Sequence, residues 1–173
     1  YDLVCDRSIL LSVAQSCFWV GWFLGLLLGG VLSDKFGRRK IWYGGCIIIL
    51  VATWIMVFPK SFVVFIVCRV FIGIGAGFRN STSFPLLTEF TSDKYRSWMG
   101  IGSFLFWSVG SSIIPLIGYL VPAWRMFLLA TAVAGVPVLI AWCLVPESPR
   151  WLLLSGKDEE AKTVLAKVAK INK

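Results

Sequence analysis

Histidine is absent from these 173 residues, and only nine are acidic against seventeen that are basic. The first lack removes the commonest metal ligand and general base of proteins. The acids are also oddly placed. None falls within Ile9–Leu32, Ile41–Phe58, Phe62–Thr88, Trp98–Val121 or Met126–Val145, the five longest apolar stretches. A proton relay of the usual kind needs a carboxylate or histidine whose pKa can be moved, and these stretches offer neither. Proton coupling, or an acidic counter-charge to a cationic solute, must therefore reside elsewhere. No zinc-ligand spacing, nucleophile elbow or phosphate-binding glycine loop occurs either. The chain is expected to be no enzyme and to need no cofactor or metal.

What is present is apolar. Hydrophobic residues make up 58% of the chain and only 15% are charged, with a mean hydropathy of +0.81. One soluble core of this length could not hide so much apolar surface. The five stretches read as membrane-spanning helices. Even the shortest, at about 1.5 Å per residue, reaches roughly 27 Å, close to a hydrocarbon core of about 30 Å. Nine tryptophans suit lipid–water boundaries. The net charge of +8 sits in short connectors beside apolar spans, which marks topology rather than a nucleic-acid-binding face. The lipid bilayer is the expected surroundings, and no nucleic-acid partner is expected.

Connector charge sets the orientation, because cytoplasmic loops are enriched in Lys and Arg. Ser33–Lys40 carries Lys35, Arg38, Arg39 and Lys40, and the next connector only Lys60. Glu89–Ser97 carries Lys94 and Arg96, Pro122–Arg125 only Arg125, and the tail from Pro146 six bases. The richer connectors share one side. The N-terminal end is therefore expected outside the cell and the C-terminal tail inside. The chain begins with Tyr1 and holds an odd number of spans, so it is expected to be part of something longer. Three regions follow: residues 1–8, the end of an extracellular loop; 9–145, the transmembrane domain; and 146–173, a cytoplasmic segment.

Gly21, Gly25 and Gly29 recur at four-residue spacing in the first span, with Gly30 adjacent, and Gly73, Gly75 and Gly77 fall in the third. Small residues so spaced let another backbone approach closely, either as fixed packing or as a gliding contact. Two charges lie inside a span, Arg69 and Arg79, about 80° apart around the third helix. Arg69 fits either a structural role or a solute pathway; Arg79, nearer the basic side, points to a cavity or cytoplasmic vestibule.

The remaining charges collect at the basic side. Glu89 and Arg96, Glu147 and Arg150, and Arg38 with Arg39 could form an ion-pair net across three helix ends. Each exposed pair is worth about 0–1 kcal/mol, more in a network. Such contacts suit a gate that opens each cycle as well as a static solvated face. From Asp158 to Ile171 the apolar Ala161, Val164, Leu165 and Val168 form a helical stripe, with acids first and lysines later. This predicts a cytoplasmic amphipathic helix. Cys5 is expected on the exoplasmic side, where a disulfide to an upstream loop is possible. Cys17, Cys46, Cys68 and Cys143 read as packed thiols.

These residues carry a resemblance. GVLSDKFGRRK, from Gly30 to Lys40, resembles the loop signature of the major facilitator superfamily, with Gly30, Asp34, Lys35, Gly37, Arg38, Arg39 and Lys40 matching. Arg69 with Gly73 resembles the superfamily's second motif, on its fourth helix. Glu89 with Arg96, and PESPRWL at Pro146–Leu152, are shared by sugar porters and organic ion transporters. YDLVCD at Tyr1–Asp6, TEFTSDKYR at Thr88–Arg96 and YLVPAWRMFLL at Tyr119–Leu129 resemble the organic cation, anion and carnitine transporter family.

The resemblance implies an all-α membrane protein and, more narrowly, part of the N-terminal half of a twelve-helix bundle. Helices two to six would be present, with the start of the central cytoplasmic linker. The expected partners are then the first helix, the C-terminal half and a small organic ion, and the expected location is the plasma membrane. Alternating access is implied, two halves rocking about a central site. Gly30, Asp34, Lys35, Gly37, Arg38, Arg39, Glu89, Arg96, Glu147 and Arg150 would form the cytoplasmic gate. Arg69, Arg79, Asn80 and Phe84 would line the solute pathway. Where organic cation members place two aromatic residues on the fourth helix, this chain has Asn80 and Phe84, and Arg79 adds positive charge beside them. Cations, anions and zwitterions such as carnitine all remain open. A sugar porter is the nearest alternative, and a channel or receptor a more distant one.

Overall fold

The computed structural model describes residues 8–58, 61–91, 93–121, 123–140 and 145–171. Every regular element among them is helical. The Tyr1–Asp6 stretch with Cys5, the Lys60 connector and Cys143 lie outside the described residues.

Four helices are long and apolar enough to cross a membrane. They are α1 (Ser8–Phe36), α2 (Arg38–Val57), α3 (Phe62–Glu89) and α4 (Asp93–Leu120). All overrun their expected spans at the basic side. Asp34 and Lys35 lie in the last turn of α1, and Arg38, Arg39 and Lys40 open α2. The expected connector Ser33–Lys40 is thus almost entirely helical. Charged side chains there propagate a helix well, and Lys35 at the α1 C-terminus complements the helix dipole. Only Gly37 reverses the chain, at φ 106°, a conformation open to glycine and strained for other residues.

The fifth span departs from expectation. Its α-helix, α5, covers only Trp124–Gly135 and gives way to a 3₁₀ segment at Val136–Ile140. Pro137 explains the change, since it has no N–H to donate to the preceding turn. The Tyr43 hydroxyl on α2 donates to the Leu139 carbonyl and pins this segment. Residues 141–144, the last part of the expected span, lie outside the described residues.

Helix α3 is the centre of the bundle, with α1 on one side and α2 on the other. Backbone meets backbone at both seams. Gly21 and Gly25 of α1 face the carbonyls of Val70 and Ile74, and Gly73 and Gly77 of α3 face those of Phe18 and Trp22. On the opposite side of α3, Gly75 faces Gly45 of α2. A methyl on Gly45 would stand 2.6 Å from the Gly75 carbonyl, and one on Gly75 would stand 2.7 Å from the Gly45 carbonyl. Positions 73 and 77 share a face, while 75, about 200° further round, looks the other way. In lipid, where burying apolar surface drives little, such close van der Waals contact is what holds helices together. Gly30 and Gly44 meet nothing within 4 Å and belong to neither seam.

Helix α4 is the least covered, and touches the rest lightly near Gly100, beside Phe84. Two short helices follow, α6 (Pro149–Leu154) and α7 (Asp158–Ile171). Ser148 caps α6 by accepting the Trp151 N–H at 3.1 Å, with Pro149 in the first turn, where its missing N–H costs nothing. At the joint the Lys157 N–H reaches the Leu152 carbonyl at 2.9 Å and the Gly156 N–H reaches that of Leu153 at 3.1 Å. With Gly156 at φ 72°, this is a Schellman ending. Helix α7 has the bounds its stripe predicts: Ala161 is buried, Val164 and Val168 are half-buried, and Leu165 is exposed. Cys46 and Cys68 are buried thiols and Cys17 is half-buried.

Candidate functional site

Three helix ends and the start of α6 converge at Gly37. Because α1 and α2 are separated by that single residue, the first turn of α2 lies against the last turn of α3. Arg38 Nη1 stands 2.6 Å from Glu89 Oε1, with side-chain exposures of 20% and 9%. A charge-assisted pair so desolvated differs in kind from a surface contact: removing one partner of a buried pair costs about 3–5 kcal/mol, mostly from stranding the other charge. The second contact of Arg38, to Asp34 Oδ1 at 3.8 Å, is weak, because Asp34 is 76% exposed.

The linker ties into this pair. The Ser148 hydroxyl donates to Glu89 Oε2 while capping α6, so one buried side chain serves both elements. Glu147 Oε1 accepts the backbone N–H of Arg39 at 2.9 Å and that of Ser148 at 3.1 Å. Its carboxylate thereby sits at the N-terminus of α2, where the helix dipole favours negative charge. Gly37 is required twice over here: a methyl on it would lie 2.6 Å from Glu147 Oε2, besides the strain of its φ. Trp151 closes the group, its Nε1–H donating to the Asp34 carbonyl at 2.8 Å, with Lys157 Nζ 5.9 Å from the centre of its ring.

The structure therefore brings together Asp34, Gly37, Arg38, Arg39, Glu89 and Glu147 from the sequence-predicted set. Lys35 is exposed beside Phe36, 5.5 Å from its ring centre. Arg96 and Arg150 are exposed in the first turns of α4 and α6. Gly30 lies one turn earlier on α1, its carbonyl accepting the Ser33 hydroxyl at 2.8 Å. Glu89 is paired with Arg38, a partner the E-x6-R spacing did not suggest. Sequence reasoning missed Ser148 and Trp151. The Ser-Pro step before an apolar turn was the available signal, since it reads as an N-cap followed by a first-turn proline.

The pathway residues all lie on α3, and Arg79 among them borders α2, its Cγ 3.3 Å from where a methyl on Gly45 would stand. Arg69 is half-buried near one end, its guanidinium 5.4 Å from the centre of the Phe65 ring. About three to four turns further along, Arg79, Asn80, Ser83 and Phe84 are all exposed. Arg79 lies 5.8 Å from the centre of the Trp42 ring, and the Trp42 Nε1–H donates to the Ser83 hydroxyl at 2.9 Å. Arg79 also borders a cavity of about 60 Å³ between α2, α3 and α5, beside Cys46, Thr53 and Thr131. Neither arginine forms an ion pair among the described residues. Trp42 and Ser83 escaped sequence reasoning because nothing in their spacing shows that α2 and α3 meet there.

Comparison with known proteins follows from this geometry. The family model described as "Sugar (and other) transporter" matches residues 4–173. Among curated relatives, solute carrier family 22 member 7 of Rattus norvegicus is 36% identical over 172 residues, 99% of this chain and 32% of that protein. Organic cation/carnitine transporter 2 of Homo sapiens is 34% identical over 173 residues, 99% of this chain and 31% of that protein. The chain thus spans about a third of the length of these relatives. The solved proton:xylose symporter XylE, of the major facilitator superfamily, bound to 6-bromo-6-deoxy-D-glucose, has a TM-score of 0.84 at 22% identity, covering 95% of this chain and 42% of that one. The partially occluded inward-open form of the xylose transporter from E. coli gives 0.79 at 22% identity, over 92% of this chain and 44% of that one. These structures share its fold.

Proposed function

The chain belongs to the sugar (and other) transporter family, and on that premise we propose that it is part of a secondary-active or facilitative carrier of small organic ions, working by alternating access. The curated relatives are transporters rather than enzymes. The whole protein would place this segment in the plasma membrane as helices two to six of its N-terminal half, α5 with the 3₁₀ segment being the last of these. The residues before α1 would lie outside the cell, and the linker carrying α6 and α7 would lie in the cytoplasm.

The observation that carries the proposal is the cluster at Gly37. Arg38–Glu89 binds α2 to α3, Ser148 binds the linker to Glu89, and Glu147 binds the linker to α2. These contacts tie the adjoining ends of α2 and α3 and the linker into one piece. Asp34, Lys35 and Arg150 are exposed on its surface, where the other half would grip when the cytoplasmic gate closes. Exposed pairs of that kind cost little to break, as a gate that opens each cycle requires. Arg69, Arg79, Asn80 and Phe84 would line the central pathway from α3, with Arg79 at the edge where α3 meets α2.

A sugar porter is the alternative reading, since the solved neighbours include xylose carriers. Against it, two arginines that form no ion pair among the described residues suit a charged solute better than a neutral one. Uptake of a panel of labelled organic cations, organic anions, carnitine and glucose by the whole carrier separates the readings, and trans-stimulation separates a carrier from a channel. Arg38→Ala or Asp34→Asn should impair uptake while surface expression stays largely intact. Normal uptake in both variants would remove the gate from the proposal.

A further inference from the structure

We propose that α3 contains a joint at Pro85 and that α2 splints it, so that a helix built to bend is held as one continuous element. The inference goes beyond the carrier reading. It concerns the mechanics of α3 and stands whatever the solute is.

A proline inside a helix has no N–H for the carbonyl four residues earlier, and its ring crowds that carbonyl. Pro85 lies inside α3, so the carbonyl deprived is that of Ser81. The turn before the proline is weakened in a second way. Ser81 and Thr82 both donate their hydroxyls to the Phe78 carbonyl, at 3.1 and 2.7 Å, and Ser83 donates to the Arg79 carbonyl at 2.6 Å. Thr88 repeats the pattern beyond the proline, on the Pro85 carbonyl at 3.0 Å. Hydroxyls bonded back onto the preceding turn compete with the helix's own N–H groups and favour bending. The glycine seams give no help here. The one to α1 reaches Phe78 and Ser81, opposite Gly29, and the Gly45–Gly75 contact lies further back.

Yet the helix runs unbroken from Phe62 to Glu89. The support comes from α2. Arg38 and Trp42 stand four residues apart there and so share a face. The Trp42 Nε1–H donates to the Ser83 hydroxyl at 2.9 Å, just before the proline. Arg38 Nη1 meets Glu89 Oε1 at 2.6 Å, one turn after it. The two ties bracket the joint, and a bend at Pro85 must break one of them. While both stand, α3 travels as one body. Once Arg38 lets go of Glu89, the last turn of α3 swings about Pro85 and carries Glu89 with it, while the seams behind the joint stay closed.

Hydrogen–deuterium exchange of the whole protein in detergent micelles tests this without any uptake. The amides of residues 86–89 bond back across the joint, so they report its opening. Arg38→Gln should speed their exchange about tenfold, roughly the protection one hydrogen bond confers, and leave residues 70–78 as in wild type. Adding Pro85→Ala should bring them back to within about threefold of wild type, because alanine restores both the N–H and a good helix propensity. Trp42→Phe, which removes the other tie, should give a smaller rise in the same turn. Arg38→Lys, which keeps the charge and loses the planar fork, should fall between Arg38→Gln and wild type. A rise spread evenly along α3 in Arg38→Gln would mean that the pair steadies the whole bundle, and overturns the joint. A rise that Pro85→Ala leaves unchanged, or no rise in any of these variants, overturns it too. Should Arg38→Gln fail to fold, Trp42→Phe with and without Pro85→Ala decides by the same comparison.

Discussion

The reciprocal glycine contact between α2 and α3 makes a sharp quantitative prediction. A methyl added at Gly45 would lie 2.6 Å from the Gly75 carbonyl oxygen, and one at Gly75 would lie 2.7 Å from the Gly45 oxygen and 2.8 Å from Ile49 Cγ1. An ordinary carbon–oxygen contact across helices is about 3.3 Å or more, so either alanine must push the helices apart by about 0.6–0.7 Å. A gap of that size forfeits a quarter to a half of each contact's dispersion energy, and overpacking of this kind costs about 1–3 kcal/mol. The helix propensity of alanine returns somewhat under 1 kcal/mol. Gly45→Ala and Gly75→Ala should therefore each destabilise by about 1–2 kcal/mol. The double variant should cost clearly less than their sum, because the separation forced by the first methyl makes room for the second. Gly44→Ala, one residue away with nothing within 4 Å, is the control and should be neutral or slightly stabilising. The assay is denaturant unfolding of the purified whole carrier in detergent micelles, run as a double-mutant cycle. Strict additivity, or single costs no larger than that of Gly44→Ala, would refute the backbone-to-backbone seam.

Other outcomes follow from the cluster at Gly37. Glu89→Gln or Arg38→Gln alone should destabilise by about 3 kcal/mol or more in the same assay, and the exchange Arg38→Glu with Glu89→Arg should recover part of that loss. No recovery would mean that the pair's geometry, not its charge, matters. Ser148→Ala removes the cap of α6 and the hydroxyl on Glu89 together; it should cost about 1–2 kcal/mol and raise proteolytic cutting within the α6–α7 segment before the helical bundle is touched. Gly156→Ala should cost about 1 kcal/mol, by strain at positive φ, with uptake unaffected by any change in the pathway.

Much of the fold was legible in the sequence because charge-free length is an almost direct image of the bilayer. The apolar limits of α1 to α3 followed from it, while the bounds of α7 followed from its amphipathic stripe. Helix ends did not. Asp34, Lys35 and Arg38–Lys40 look like a loop by charge, yet lysine and arginine are good helix formers, so the helices run on until Gly37 stops them. Pro137 was visible throughout, but charge counting gives no weight to a missing N–H, and α5 ends before it. The site was legible as a list more than as an arrangement. Arg38, Glu89 and Glu147 could be named, but which acid meets which base depends on the antiparallel register of α2 and α3. That register is set by Gly45 and Gly75, which carry no chemistry of their own. Arg69 and Arg79 were placed about 80° apart around one helix by arithmetic, whereas Trp42 and Ser83 beside Arg79 needed the packing.

The two glycine seams leave α3 clamped on both flanks by close main-chain contact. An assembly of that kind behaves like a keel: α1, α2 and α3 must travel together or not at all. Whatever flexing a rocking cycle demands then falls to the lightly held α4 and to the proline-broken stretch after α5, so motion sensors belong there and rigid reference labels on the keel.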